Sequence, residues 1–573
     1  MTAARPYPEA PALPFDGDTE EVAGALDAML TGAALGVHRR FLPGASTARF
    51  AGALVRRPRR VASRAGGLAA EYARIAAGSS SVAPSTRDRR FADPAWTENP
   101  FLRRIVQAYL ATATTAEGLV QDVPLEWRDR ERISFLLSNL VEALAPSNHP
   151  LLSPVAWKAV VDSGGVSALR GLRQLLGDLA GAPRVPTMVP PDAYEVGRDL
   201  AVTPGAVVLR TPMFELVQYR PRTEKVHATP LLVVPPTINK YYVMDIAPQR
   251  SLVEYLVGQG AQVFLVSWRN PDARHSTWGL DAYARAVIEA LDTTRTIAGS
   301  GAAHLLGACS GGILGALVSA YLTAEGRQDQ LASLTLLVTL LDQARAGTAG
   351  AIVDENVARA ALAASRARGY LDGKQLAEVF AWLRPGDLVW NYWVNNYLQG
   401  RKPPAFDLLY WNADTTRMPA RLHRDFLRIA MANALVRPGG VTLLDREIDL
   451  GQVTLDSYVV AGSADHICPW RNCYASTQVL GGKSRFVLST NGHIAALINP
   501  PDNRKSSYRV AEDTTAAAED WAATAPATAG SWWPDYARWL DERSGGQVAA
   551  PEAPGGGQFR ILGDAPGSYV LDR

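Results

Sequence analysis

The chain has 573 residues, 47% of them apolar, with a formal net charge of +2. That length is more than one ordinary core and predicts two domains. The near-neutral charge excludes binding driven by a strong field, nucleic acid included. In chain order, residues 1–20 are Pro-rich and acidic and are expected to be a disordered tail. They lack the charged start and apolar run of a secretory signal. No run of ~18 apolar residues occurs, so no membrane span is expected. Residues 21–190 read as a mostly helical domain, with apolar residues at helical spacing over 102–111 and 133–143. Arg56, Arg57, Arg59, Arg60 and Arg64 read there as a solvated basic face, with contact to an anionic surface or partner as the alternative.

The character changes near Val185-Pro186-Thr187, and residues 191–573 read as a catalytic domain. Residues 207–219 predict a strand pair at the sheet edge. Short apolar runs at 231–234, 262–267 and 304–307, with helical patterns between them, predict a parallel sheet. Gly307-Ala308-Cys309-Ser310-Gly311-Gly312 follows, ahead of a small-residue helix pattern over 313–322. Strand, Gly-flanked turn and helix form the context of a nucleophile elbow. A Cβ at 307 or 311 would crowd the neighbouring strand and helix. The central residue is a thiol, both a good nucleophile and a good leaving group. It suits an enzyme that takes an acyl group and passes it on. Residues 341–440 then interrupt the alternation with helical, aromatic-rich sequence and predict a cap insertion.

Further on, 458–461 reads as a buried strand ending at Asp465, on the sheet edge where open parallel sheets build sites. A second strand at 485–488 runs into Ser489-Thr490-Asn491-Gly492-His493. Nucleophile, acid, histidine is the chain order of α/β-hydrolases. The expected fold is therefore an α/β-hydrolase fold with a helical cap and a mostly helical N-terminal domain. Cys309, Asp465 and His493 are the candidate triad: His493 is the base and Asp465 fixes its tautomer. The Ser310 backbone N–H is the first candidate oxyanion donor. Pro235 and Pro236 have no N–H, so the second falls to Thr237 or Ile238, with Ile238 taken as the candidate. His466 is a candidate substrate contact, with a structural role as the alternative, and His304 reads as structural. Cys468 and Cys473 read as packing residues. The three cysteines show neither a disulfide framework nor a metal-ligand spacing, and fit a reducing cytoplasm. Residues 544–557 read as a linker before a short tail that docks or stays mobile.

Beyond these readings, the chain resembles polyhydroxyalkanoate synthases, closest to the class II (medium-chain-length) type. The resemblance rests on the elbow, on Asp465-His466-Ile467-Cys468-Pro469-Trp470 and on Gly492-His493-Ile494. It extends to Val233-Val234-Pro235-Pro236-Thr237-Ile238-Asn239-Lys240-Tyr241-Tyr242, Ser267-Trp268-Arg269-Asn270-Pro271-Asp272 and Trp390-Asn391-Tyr392-Trp393-Val394-Asn395-Asn396-Tyr397. Ala308 fits the class II pattern Ala-Cys-Ala, and Ser310 departs from it. The resemblance implies an acyltransferase that polymerises (R)-3-hydroxyacyl-CoA into polyester, releasing CoA through a thioester on Cys309. CoA is part of the substrate, so no separate cofactor is implied, and no metal. The growing polyester, a second copy in a homodimer and granule-associated proteins are the implied partners, at polyhydroxyalkanoate granules in the cytoplasm. Two other readings compete: an intracellular depolymerase or thioesterase of the same fold, and a non-catalytic granule-surface protein.

Overall fold

The computed structural model describes residues 44–352 and 355–573. The expected disordered tail and residues 21–43 lie outside the described residues. The N-terminal part is helical: α1 (Ala45–Val55), α2 (Pro58–Ala77), α3 (Pro100–Gln121), α4 (Trp127–Ala143), α5 (Pro154–Asp162) and α6 (Val166–Leu179). Its helix starts are written in the sequence. Asn99 caps α3 by accepting from the Phe101 N–H at 2.9 Å, and Pro100 occupies the first turn, where no N–H is needed. Arg56, Arg57, Arg59 and Arg60 are exposed, as a solvated face requires. Arg64 is half-buried, and its Nε bonds Asp122 at 2.8 Å, tying α2 to the end of α3.

From residue 205 the chain forms one eleven-stranded sheet. The strands are β1 (Gly205–Arg210), β2 (Phe214–Tyr219), β3 (Leu231–Val234), β4 (Val263–Trp268), β5 (Ala303–Ala308), β6 (Leu331–Leu337), β7 (Ser457–Gly462), β8 (Ser484–Ser489), β9 (Ser507–Ala511), β10 (Ala527–Ala529) and β11 (Gly563–Asp564). Their order is β10-β9-β8-β7-β6-β5-β3-β4-β2-β1-β11. The six strands from β3 to β8 pair in parallel, and the flanking strands pair antiparallel. Helices cover both faces of the parallel part, so its strands read as continuous apolar runs; β3 and β5 are buried along their whole length. Leading into and out of the elbow are α7 (Leu280–Ala298) and α8 (Ser310–Ala324). The latter is rich in Gly, Ala and Ser and lies against the sheet with little exposed surface.

Between β6 and β7 lies the long helical excursion, which includes α9 (Gly373–Leu383), two π-helical turns (Gly386–Trp390 and Trp393–Leu398) and α10 (Ala420–Ala432). Its aromatic stretch packs onto the N-terminal helices. The Trp393 Nε1 donates to the Asn148 carbonyl at 3.1 Å, and the Tyr397 hydroxyl bonds Asp178 at 2.6 Å.

Two local expectations change, and one left open between docking and mobility is decided. The β1–β2 pair is not the edge of the sheet, because β11 adds outside it. The stretch read as a linker is partly structured: Gln547–Ala549 pairs antiparallel with Lys225–His227. The tail docks: the fully buried Glu215 side chain accepts from the backbone N–H groups of Ser568 and Tyr569 at 2.8 and 2.9 Å. Among the described residues no helix is long and apolar enough to cross a membrane.

Candidate active site

Cys309 stands between β5 and α8 with φ 52° and ψ −119°. A non-glycine residue keeps such a conformation only when its surroundings fix it. Close packing of the turn does so. A Cβ on Gly307 would lie 2.5 Å from the Gly311 carbonyl oxygen, and one on Gly311 would lie 2.3 Å from the carbonyl oxygen of Val234. The Cys309 N–H donates to Leu337 at the end of β6 at 2.9 Å. The thiol is thus held at the N-terminus of α8, where the helix dipole favours an anion.

The acid and the histidine arrive on two loops that touch. A Cβ on Gly462, the last residue of β7, would meet the Asn491 carbonyl oxygen at 2.4 Å. That close approach sets Asp465 Oδ2 2.7 Å from His493 Nδ1. A carboxylate only accepts, so Nδ1–H is the donor and Nε2 is left for the thiol. Asp465 Oδ1 accepts from the N–H groups of Ile467 and Cys468, both at 2.8 Å. The Asp465 side chain is fully buried and His493 nearly so. The sulfurs of Cys309 and Cys468 and a ring nitrogen of His493 all lie within 4.8 Å of one another.

Residues 87–256 match the family model described as "Poly-beta-hydroxybutyrate polymerase (PhaC) N-terminus", and residues 230–500 match the alpha/beta hydrolase fold. The chain is 46% identical to "Poly(3-hydroxyalkanoate) polymerase 2" of Ectopseudomonas oleovorans over 88% of its own length and 90% of the relative's. It belongs to the poly(3-hydroxyalkanoate) polymerase family. Polymerase 1 of the same organism is 43% identical over 91% of this chain and 92% of its own. The polymerase subunit PhaC of Cupriavidus necator is 42% identical over 87% and 85%.

In this member of the poly(3-hydroxyalkanoate) polymerase family the electrostatics favour a charged thiolate–imidazolium pair. The neighbouring Cys468 thiol, then His493 and the Ser310 N–H, hold the Cys309 thiol well below its ordinary value, against the opposing effect of burial. Burial pulls His493 down, but Asp465 and Cys309 together raise it to about 10. Cys468 is pushed well above its ordinary value, first by Cys309 and then by burial. Its role as a plain packing residue therefore needs correction: it faces the candidate nucleophile. Its own loop carries only part of the signal. Asp465 accepts from the N–H groups two and three residues on, a turn that an Asp commonly makes, and this brings Cys468 round to the elbow. Cys473 is the packing residue expected, fully buried, with its thiol on the Cys468 carbonyl at 3.7 Å.

Of the candidate oxyanion residues, Ser310 also uses its side chain: its Oγ accepts from the Thr237 N–H at 2.9 Å. That bond commits the Thr237 N–H and leaves Ile238 as the next N–H along the loop. His466 is half-buried, its Nδ1 has no partner among the described residues, and burial lowers it to about 4. It is a neutral imidazole at neutral pH. His304 is structural as expected, bonded to Ser333 at 2.7 Å and Ser544 at 3.1 Å.

Proposed function

We propose that this chain polymerises (R)-3-hydroxyacyl-CoA through a covalent thioester on Cys309, with His493 as the base and Asp465 as its orienting partner. The observation that carries this reading is the Asp465–His493 bond beside a strained cysteine elbow, in a chain whose relatives are named poly(3-hydroxyalkanoate) polymerases. The Cys309 thiolate attacks the thioester carbonyl, CoA leaves as a thiol, and the proton it takes comes from His493. The 3-hydroxyl of the next unit, deprotonated by His493, then attacks an acyl thioester and extends the ester chain. The developing oxyanion is assigned to the N–H groups of Ser310 and Ile238. Both Asp465 oxygens are occupied by His493 and by backbone N–H groups, which supports a purely orienting role. His466, neutral and with an unpartnered nitrogen, is assigned to substrate contact.

Residues 341–440 serve as a cap over the catalytic domain, with residues 21–190 as a separate N-terminal domain. The Arg384 Nη1 lies 3.6 Å from where a Gly492 Cβ would be, so the insertion reaches the histidine loop. Ala308 before Cys309, which fits the class II pattern, supports medium-chain monomers. The exposed Trp157, Val161, Leu169, Leu172 and Leu176 of α5 and α6 offer an apolar face for the granule surface in the cytoplasm. The test combines free-thiol release from a 3-hydroxyacyl-CoA with analysis of product size. Thiol release with polymer is expected; thiol release with only free acid would make the protein a hydrolase, and no release a binding protein.

A further inference from the structure

We propose that Cys309, Cys468 and His493 form a binding site for a thiophilic cation, Zn2+ foremost, and that its occupation switches the enzyme off. The donor set is two thiols and one imidazole, which suits Zn2+ and not a hard, oxygen-seeking ion. The donors lie within 4.8 Å of one another, on three segments that the sequence holds far apart. Bonds of about 2.3 Å to sulfur and 2.0–2.1 Å to nitrogen give a tetrahedral S···S edge of roughly 3.8 Å. Side-chain adjustments of about an ångström close that gap.

The surroundings are those of a metal-ligating histidine. Such a residue gives its second ring N–H to a carboxylate, which fixes the tautomer and makes the ligand more basic. The Asp465–His493 bond of 2.7 Å does this, leaving Nε2 for the cation. Asp465 is itself anchored by the Cys468 N–H, so one loop carries both a ligand and its support. Cys468 and His493 are buried while Cys309 is half-buried, which leaves a fourth coordination position on the Cys309 side for water or a substrate thiol. The binding claim stands on ligand geometry alone. Only the loss of activity also rests on Cys309 being the nucleophile.

Co2+ is the probe, titrated into the full-length protein held reduced by a phosphine. The expected result is a thiolate-to-cobalt charge-transfer band with tetrahedral visible bands, saturating at one equivalent and bleached by Zn2+. Cys468→Val should weaken binding by at least about a hundredfold, and Asp465→Asn by about 10- to 100-fold, while Cys473→Val should leave it unchanged. Zn2+ should inhibit CoA release by wild type, with reversal by chelator, and the Cys468→Val enzyme should lose that sensitivity by the same factor as its affinity. No cobalt–thiolate band, or the same band in Cys468→Val, overturns the site. Should Cys468→Val not fold, X-ray absorption of the Zn2+-loaded wild type decides: two sulfurs at about 2.3 Å are expected, and one overturns the proposal. Tight binding of Zn2+ through both sulfurs with undiminished CoA release would keep the site, refute the switch and remove Cys309 as nucleophile.

Discussion

A single residue, Cys309, combines reactivity with backbone strain, and the two can be separated. Cys309→Ala is expected to lower CoA release by at least about a thousandfold while leaving the melting temperature near that of wild type. Cys309→Gly, equally inactive, should melt above Cys309→Ala. A φ of 52° costs a non-glycine residue roughly 1–3 kcal/mol, and glycine is free of most of that cost. Equal melting of the two variants would show that the elbow relaxes once the thiol is gone. The charge pair gives a second test. With the Cys309 thiol held low and His493 raised to about 10, iodoacetamide should label Cys309 at a rate nearly flat with pH through neutrality. His493→Gln should be slow there and regain reactivity as pH climbs; an unchanged profile would rule out His493 as the base. The same shift carries a stability sign. A histidine raised on folding stabilises fully below its ordinary 6.5, and that contribution fades as pH rises through about 10. His493→Gln should flatten this alkaline decline in denaturant midpoint.

At the scale of elements, the insertion between β6 and β7 divides in two. Its aromatic turns are clasped by the N-terminal helices: a Cβ on Gly171 of α6 would meet the Tyr397 carbonyl oxygen at 1.9 Å, so backbone lies directly on backbone. Residues 347–352 are held by the same helices, with the Arg132 Nε of α4 donating to the Ala351 carbonyl at 2.7 Å, whereas α9 leads to Arg384, which reaches the histidine loop. Hydrogen exchange is therefore expected to be faster over 373–384, and slowed there by a non-hydrolysable acyl-CoA analogue, than over 386–398. Uniform protection across both would remove the gating role. Much of this architecture was legible in the chain itself. The strands read at 231–234, 262–267, 304–307, 458–461 and 485–488 all appear, each within a residue at either end. Their apolar runs are bounded by turns, and burial on both faces leaves no other pattern. What escaped is instructive. β6, Leu-Ala-Ser-Leu-Thr-Leu-Leu, has a run that periodicity cannot tell from buried helix. β11 is Gly-Asp, with no strand propensity of its own, and exists because β1 offers an edge. The candidate triad residues could be singled out because elbow, acid loop and histidine loop each carry a local signal in the order nucleophile, acid, histidine. The nearness of Cys468 to Cys309 could not, because only the packed sheet joins their loops.

Across the whole molecule, the last residues close the structure far from their place in the sequence. Ser568 and Tyr569 satisfy the buried Glu215, together with Arg210 at 2.7 Å. The buried Lys240 ammonium donates to the carbonyls of Val570, at 2.7 Å, and Asp572. Burial pushes the Glu215 carboxyl up, but its bonds to Tyr569, Ser568 and Arg210 hold it below the usual 4.5. Its contribution is therefore complete above that value and fails as pH falls below it. Deleting residues 563–573 strips partners from one buried anion and one buried cation, and is expected to cost about 3–5 kcal/mol. Chemical denaturation would measure it; a truncated chain as stable as the full one would mean the tail is ornamental. Lys240 closes the same loop that carries Thr237 and Ile238. The loop beside the thiol is therefore braced by chain 330 residues away, so a nick or an unfolding event in that distant segment is felt at the site although no residue of the segment lies in it.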